Sequence, residues 1–493
     1  MTRSNNETHN IPSHLIRYKG VKFREPNLIF SSNNGGKRCL EPHPMKGLVN
    51  HKPFETGIDH FLNKEVKMSI LCIPEYSQKL NNFLNKLNTK IAVNNPKESY
   101  LIDYEGFDNI YNINLEIPNV NSSDWRCIED LQLSSDVKNI SNRIKENICS
   151  EILKISASRT QKVIVIFIPN KWLKYTSFSN EYESFDLHDY IKAFCAEKGL
   201  TSQFITERTL LDYKQECQVV WWLSLSFYVK SFRTPWLVEN STTDTAFAGI
   251  GYSVDKHNKN NPIILGCSHL YTSNGEGLKY KLSKLSNDKI QWRDKKPHLS
   301  YDDAYDFGRS IINLFYESMN EMPKRVVIHK RTFFTQEEKD GICDSLLENA
   351  NIQNVDLIEI NFEDDVKYVS SKIKYGKTEI DGYSIARGTC IQLTSYSALL
   401  WTHGIIPSVK NQYANFYPGG RYIPKPLKII RHYGNSTLEQ ISNEILGLSK
   451  MNWNSLNMYS QLPATIFSSN EIARIGKLVN NIGTSEYDYR FFI

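Results

Sequence analysis

His188 and Lys192 stand four residues apart in the stretch FDLHDYIKAFCAEKGLTSQ, residues 185–203, so on a helix they share one face. Gly199 follows where a left-handed residue closes a helix. Thr201, Ser202 and Gln203 then lead into the apolar pair Phe204 and Ile205. A second amphipathic run, WWLSLSFYVK, ends on Lys230. An imidazole, an amide and two ammonium groups make a set of hydrogen-bond donors. Such a set suits a terminal phosphate, which carries nearly two negative charges and takes several charge-assisted hydrogen bonds at once. The same spacing also fits a solvated helix face with ordinary surface lysines. The elements around the stretch decide between the two.

Those elements belong to a chain of 493 residues, long enough for two or three domains with ample core. Hydrophobic residues at 40% and charged residues at 23% are the profile of a folded globular chain. The net charge of +5 is compatible with a polyanionic partner without requiring one. Nine dispersed cysteines with no C-x-x-C pair read as reduced thiols in a cytoplasmic protein, not as a zinc or disulfide framework. His43, His51 and His60 lack ligand spacing and read as loop or surface residues. The polar start MTRSNNETHNIPSH has no apolar signal core, and no run is apolar for long enough to span a membrane. Neither G-x-G-x-x-G nor G-x-x-x-x-G-K-[ST] occurs, which argues against a dinucleotide or nucleoside triphosphate site.

Residues 66–235 read as an α/β unit. VKMSILCIP is a buried-strand run, followed by the amphipathic EYSQKLNNFLNKLN. After polar connecting sequence and a long helix, KVIVIFIP reads as a central parallel strand, apolar on both faces. The helix of His188, the short strand SQFITE and the helix ending at Lys230 complete a Rossmann-like order, in which ligands bind beyond the carboxyl ends of the strands. RTPWLVE is an extended connector. Beyond it come three meandering strands, the helix YDDAYDFGRSIINLFYESMN, the strand RVVIHKR, a charged helix and the strand VDLIEINF, a ribonuclease H-like order. The closing segment reads as CIQLTS, a loop PGGRYIPKPLKIIRHYG, two helices and the aromatic tail EYDYRFFI.

HDYIK, GLTSQ and the later lysine together resemble the guide 5′-phosphate pocket in the MID domain of Argonaute proteins. GIGYS, RVVIHK, NWNS and LPATIFSSNEIA resemble, in order, the strands and C-terminal helix of a PIWI domain. EPHPMKGLVNHKPF resembles the amino-terminal stretch of short prokaryotic Argonautes, which lack separate N and PAZ domains. The resemblance implies an α/β fold: an extension over residues 1–65, a Rossmann-like MID domain over 66–235 and a ribonuclease H-like PIWI domain over 236–493.

Carried over residue by residue, the resemblance gives the guide phosphate to His188, Lys192, Gln203 and Lys230. It also places the terminal carboxylate, here Ile493, beside a structural Mg2+ at the guide's 5′ end. The carboxylates that would hold two catalytic metals in a PIWI nuclease fall on Gly251, on Lys330 or Arg331 (Arg331 preferred), and on Asn470. Asp255 and Glu276 read as loop and turn residues that do not replace them. Lys279, Lys281 and Lys284, with Arg421, Lys425, Lys428 and Arg431, are candidate cations of a nucleic-acid channel. The implied function is a guide-loaded sensor without nuclease activity, which pairs a guide RNA with single-stranded target DNA. It would act through an APAZ-domain partner carrying a TIR or sirtuin-like NADase, as a heterodimer that oligomerises on target recognition and depletes NAD in antiphage defence. The alternatives are a guide-directed nuclease with residual two-metal activity, and a Rossmann-like or ribonuclease H-like protein unrelated to guides.

Overall fold

The computed structural model describes residues 18–31, 38–57, 65–94, 100–157, 161–211, 215–239, 245–253, 263–271, 278–285, 290–294, 296–347, 352–369, 371–380, 385–410, 415–416, 423–479 and 486–493. The first unit is a parallel sheet of five strands: β1 (Glu65–Cys72), β2 (Asn114–Glu116), β3 (Trp125–Cys127), β4 (Val163–Ile168) and β5 (Thr201–Thr206). β5, β4 and β1 lie side by side, and both β2 and β3 pair with β1. Every residue of β4, VIVIFI, is buried, as a central parallel strand covered on both faces demands. The sequence reading assigned only connection between the helix EYSQKLNNFLNKLN and residue 135, yet β2 and β3 lie there. Strands of three residues give too short a period to announce themselves.

Helices α1 (Ser77–Asn85), α2 (Val137–Ser156), α3 (Leu187–Glu197) and α4 (Glu216–Lys230) cover this sheet. Ile140, Ile144, Ile148, Ile152 and Ile155 make the buried stripe of α2, and Asp136 caps its first turn by accepting from Asn139 N at 3.0 Å. α4 is apolar nearly all round and sits in the core, with Tyr228 stacked on Tyr111 at 4.6 Å between ring centres.

The second unit centres on β6 (Thr245–Ser253), β7 (Ile263–Tyr271), β8 (Leu278–Leu285), α5 (Tyr301–Met319), β9 (Arg325–Lys330), α6 (Gln336–Leu347) and β10 (Asn354–Phe362). Across the sheet these strands run β8-β7-β6-β9-β10, with β6, β9 and β10 parallel and the meander antiparallel. The sheet continues through β11 (Thr389–Gln392), β12 (Ser397–Leu400) and β13 (Leu427–Tyr433), and ends beyond β8 on β14 (Glu486–Asp488). Helices α7 (Leu438–Leu448) and α8 (Ala464–Gly476) complete the unit. Period-two alternation divides the sheet's core. Ala246, Ala248, Ile250, Val326 and Ile328 join the apolar cluster of α5 and α6, whereas Phe247 and Val327 join that of α7 and α8.

The stretch read as a loop before Tyr433 is in fact β13, paired with both β10 and β12. Its Leu427 and Ile429 are fully buried, so the alternation of LKII was the overlooked signal. The amino-terminal segment is woven into the second unit. Strand Lys19–Lys22 pairs antiparallel with β11, and Leu28–Phe30 lies between Cys39–Glu41 and Leu237–Val238. Glu25 is buried between Arg387 Nε at 2.9 Å and Lys450 Nζ at 2.8 Å. His43 is a buried cap, not a surface residue: it precedes the helix Pro44–His51, accepts from Lys46 N and meets Tyr100 O at 2.9 Å.

Candidate nucleic-acid interface

Lys192 and Lys230 are both buried, at 1% and 3% exposure. Three local features bring them together. Asp186 caps α3 by accepting from Asp189 N at 3.0 Å, which fixes the helix phase that turns Lys192 inward. Gly199, with φ at 67°, lets the chain leave α3 in the left-handed region and enter β5 after one residue. Lys230 is the last residue of α4, whose C-terminal carbonyls favour a cation. Lys192 Nζ then donates to Ser202 O at 2.5 Å and to Ile493 O. Lys230 Nζ donates to Gln203 Oε1 at 2.5 Å, and Ser226 Oγ donates to that same oxygen at 2.6 Å.

So dry a place disfavours charge on both amines. Burial draws Lys192 down to about 8. Lys230 falls well below the usual lysine range through burial and through its neighbour Lys192. Among the described residues no side-chain carboxylate pairs with either. The arrangement is a preformed pair of buried cations whose natural complement is a compact anion. Gln203 differs from the expected phosphate donor. Its amide oxygen faces Lys230 and its Nε2 donates to Phe204 O at 2.8 Å, so it holds the lysine in place.

His188 lies one turn before Lys192 on the same helix, outside this bond network. Its Nδ1 is 3.3 Å from Asp189 Oδ1 and its ring centre 5.2 Å from that of Phe204, the residue after Gln203 on β5. Asp189 is anchored to Arg474 of α8, which also reaches Glu471 at 2.7 Å. The α3 pocket is thereby tied to the second unit. The ligand atoms of Asp186, His188 and Asp189 lie within 4.8 Å of one another, close enough to share a cation. The Arg474 ion pair already neutralises Asp189, which weakens that set as a metal site.

At the ribonuclease H-like centre, Gly251 of β6 faces α8. A Cβ on Gly251 would lie 2.5 Å from Ser469 C and O and 2.7 Å from Asn470 N. The structure thus brings Gly251 and Asn470 into backbone contact. Arg331 turns away to Asn361 Oδ1 at 3.4 Å and stacks over Phe362 at 5.3 Å. Lys330 faces the opposite layer, bonded to Glu338 of α6 and 3.2 Å from His298 Nδ1. Lys330 and the adjacent His298 pull Glu338 down to about 2 against the cost of burial. His329 donates to or accepts from Thr465 Oγ1 at 2.8 Å, fixing α8 on β9.

Among the channel candidates, Lys428 is paired with Glu363 at 3.3 Å and Lys425 with Asp364. Arg431 donates to the backbone oxygens of Ser436 and Ser395. Lys279, Lys281 and Lys284 lie on β8, and their side chains are outside the described residues, as are Arg421, Asp255, Glu276 and His60 entirely. β8 and β13 are five steps apart in the sheet, roughly 24 Å, so these cations form two groups and not one patch. Sequence reasoning missed Ser226 and the pair Asp189–Arg474. Ser226 was findable, because it lies four residues before Lys230 and therefore on the same helix face.

No protein-family model matches this chain, and no curated protein matches it by sequence. Solved structures do. Clostridium butyricum Argonaute bound to a guide DNA and a 19-mer target DNA matches 97% of this chain with a TM-score of 0.63 and 17% identity, over 55% of that chain. A. aeolicus Argonaute matches 97% at 0.58 and 18% identity, over 56% of its own length. Drosophila Piwi matches 96% at 0.59 and 12% identity, again over 56%. The chain spans a little more than half the length of these structures. Its architecture is the MID–PIWI fold of Argonaute proteins, a parallel α/β unit joined to a ribonuclease H-like sheet.

Proposed function

We propose that this chain binds a guide nucleic acid by its 5′-phosphate and presents it for pairing with a target strand, without cutting that target. The observation that carries the reading is the convergence of Lys192 and Lys230, both buried and without a side-chain counter-ion among the described residues, at the start of β5. A terminal phosphate would restore the second proton that burial of the pair disfavours. His188, exposed one turn before Lys192, would meet the first nucleotide. Ile493, whose oxygen already meets Lys192, would with the phosphate oxygens offer a hard cation such as Mg2+ the oxygen ligands it prefers.

Absence of cleavage is argued from Gly251. The contact with Ser469 and Asn470 fills the space a carboxylate would need, and Arg331 stands where a second was expected. Neither of these two positions offers a two-metal reaction a carboxylate. The specific form of the reading is a short prokaryotic Argonaute, with a guide RNA and single-stranded target DNA. Its output would leave through an APAZ-domain partner with a TIR or sirtuin-like NADase, assembled as a heterodimer that oligomerises on target recognition in antiphage defence. The test is the 5′ end of co-purified nucleic acid. Strands that accept radiolabel from polynucleotide kinase only after phosphatase treatment are expected. Bound strands with free 5′-hydroxyls would overturn the reading.

A further inference from the structure

Ser371–Lys374 and Lys377–Ile380 form a two-stranded hairpin that joins neither large sheet. Tyr375 and Gly376 make its turn with φ of 52° and 75°, the paired left-handed conformation of a two-residue type I′ turn. The root of the hairpin is held. Tyr368 meets the fully buried Trp401 edge-on at 5.6 Å, and Val366 packs beside it on Ile385 and Leu399. The tip is uncovered, with Tyr375 at 92% exposure and Ile373 at 72%.

Two cations face each other at that tip. Lys374 and Lys377 are directly opposed on the last rung, a like-charge pairing that destabilises a hairpin. Among the described residues no carboxylate pairs with either. Lys374 Nζ lies 5.6 Å from the centre of the Tyr375 ring. A local conflict of this kind on an otherwise well-formed hairpin marks a functional surface. Opposed cations beside an open ring match a ligand with closely spaced negative charges and flat apolar faces. Lysine is depleted at protein–protein interfaces, which disfavours a protein occupant. Asp364 and Glu363, in the segment leading to the hairpin, pair with the candidate channel cations Lys425 and Lys428.

We propose that this hairpin tip is a nucleic-acid contact, with Lys374 and Lys377 on backbone phosphates and Tyr375 against a base or sugar face of the guide–target duplex. This rests on the guide-binding reading above, but uses residues separate from the 5′-phosphate pocket. The experiment is fluorescence anisotropy on the full chain, with a 5′-phosphorylated guide alone and with the guide–target duplex, over a range of salt. Tyr375→Ala is expected to weaken duplex binding roughly tenfold. The double variant K374A/K377A is expected to flatten the log–log salt dependence by roughly 1.5. Preference for a 5′-phosphate on the free guide stays as in the parent chain. Duplex affinity and salt slope unchanged in both variants would overturn the proposal. Loss of duplex affinity in variants of a parent that shows no 5′-phosphate preference would support the hairpin and sink the pocket reading. A photo-crosslinker at position 375 that labels protein and not nucleic acid would also overturn it.

Discussion

Lys230 Nζ and Ser226 Oγ donate to one oxygen, Gln203 Oε1, at 2.5 and 2.6 Å. Ser226 and Lys230 are four residues apart on α4, so one helix face supplies both donors. The amide oxygen is thereby turned toward the lysine, and the lysine is held beside β5. Ser226→Ala removes one of the two donors that orient the amide. A net hydrogen bond of about 1 kcal/mol predicts roughly fivefold weaker binding of a 5′-phosphorylated guide. Binding of a 5′-hydroxyl guide should be unaltered, and Ser226→Thr should restore the loss. Equal losses for both guides would assign Ser226 to the core alone.

Binding should also depend on pH in a defined direction. Lys192 is drawn down to about 8 by burial, so it loses its proton as the pH passes through that value. Affinity for a 5′-phosphorylated guide is expected to fall between pH 7 and 9, while a 5′-hydroxyl guide is little affected. The same shift makes the chain without guide more stable on the alkaline side. A lysine of lowered folded-state pKa destabilises the fold when protonated, and that penalty fades as the pH rises above about 8. Isothermal titration in buffers of different ionisation enthalpy measures the accompanying proton uptake.

Restoring a carboxylate at the ribonuclease H-like centre should not restore cleavage. In Gly251→Asp the new Cβ would meet backbone atoms of Ser469 2.5 Å away, which no rotamer can relieve. The expected cost is about 1–3 kcal/mol of stability, read as a lower Tm, with a matched guide and target left intact in Mg2+ or Mn2+. Cleavage by this variant at undiminished stability would contradict the packing argument.

The second layer of that centre is an ion pair. Replacing Lys330 by Met leaves Glu338 buried without its cation and should cost about 3–5 kcal/mol. Glu338 titrates near 2 in the folded chain, below its ordinary value of 4.5. The stability it confers is full above the ordinary value and is lost as the pH falls through about 2. K330M should therefore flatten the acid limb of the stability profile, which urea titration at several pH values measures.

The sequence carried much of this architecture because long periodic runs spell it out. The fully apolar β4 and the isoleucine stripe of α2 could be read directly. Short strands such as β2 and β3 could not, and β13 was obscured by the Pro and Gly residues before it. At the pocket, helix spacing pointed to His188 and Lys192, since one face of a helix is a local property, whereas Lys230 was read from the end of a second amphipathic run. Two things were not legible. One is the orientation of the Gln203 amide, which depends on Ser226 across the helix–strand contact. The other is the ion pair of Asp189 with Arg474, which are 285 residues apart in sequence. Tertiary partners of that kind have no signature in local pattern.

The central claim is a pocket for a terminal phosphate, and one comparison tests it most directly. The affinities of one guide sequence with 5′-phosphate and with 5′-hydroxyl are measured on the parent chain and on Lys192→Ala. The account predicts clear preference for the phosphate in the parent, reduced at least tenfold in the variant, with the 5′-hydroxyl affinity nearly unchanged. Equal affinity for the two guides in the parent chain, or equal losses for both in the variant, would contradict it.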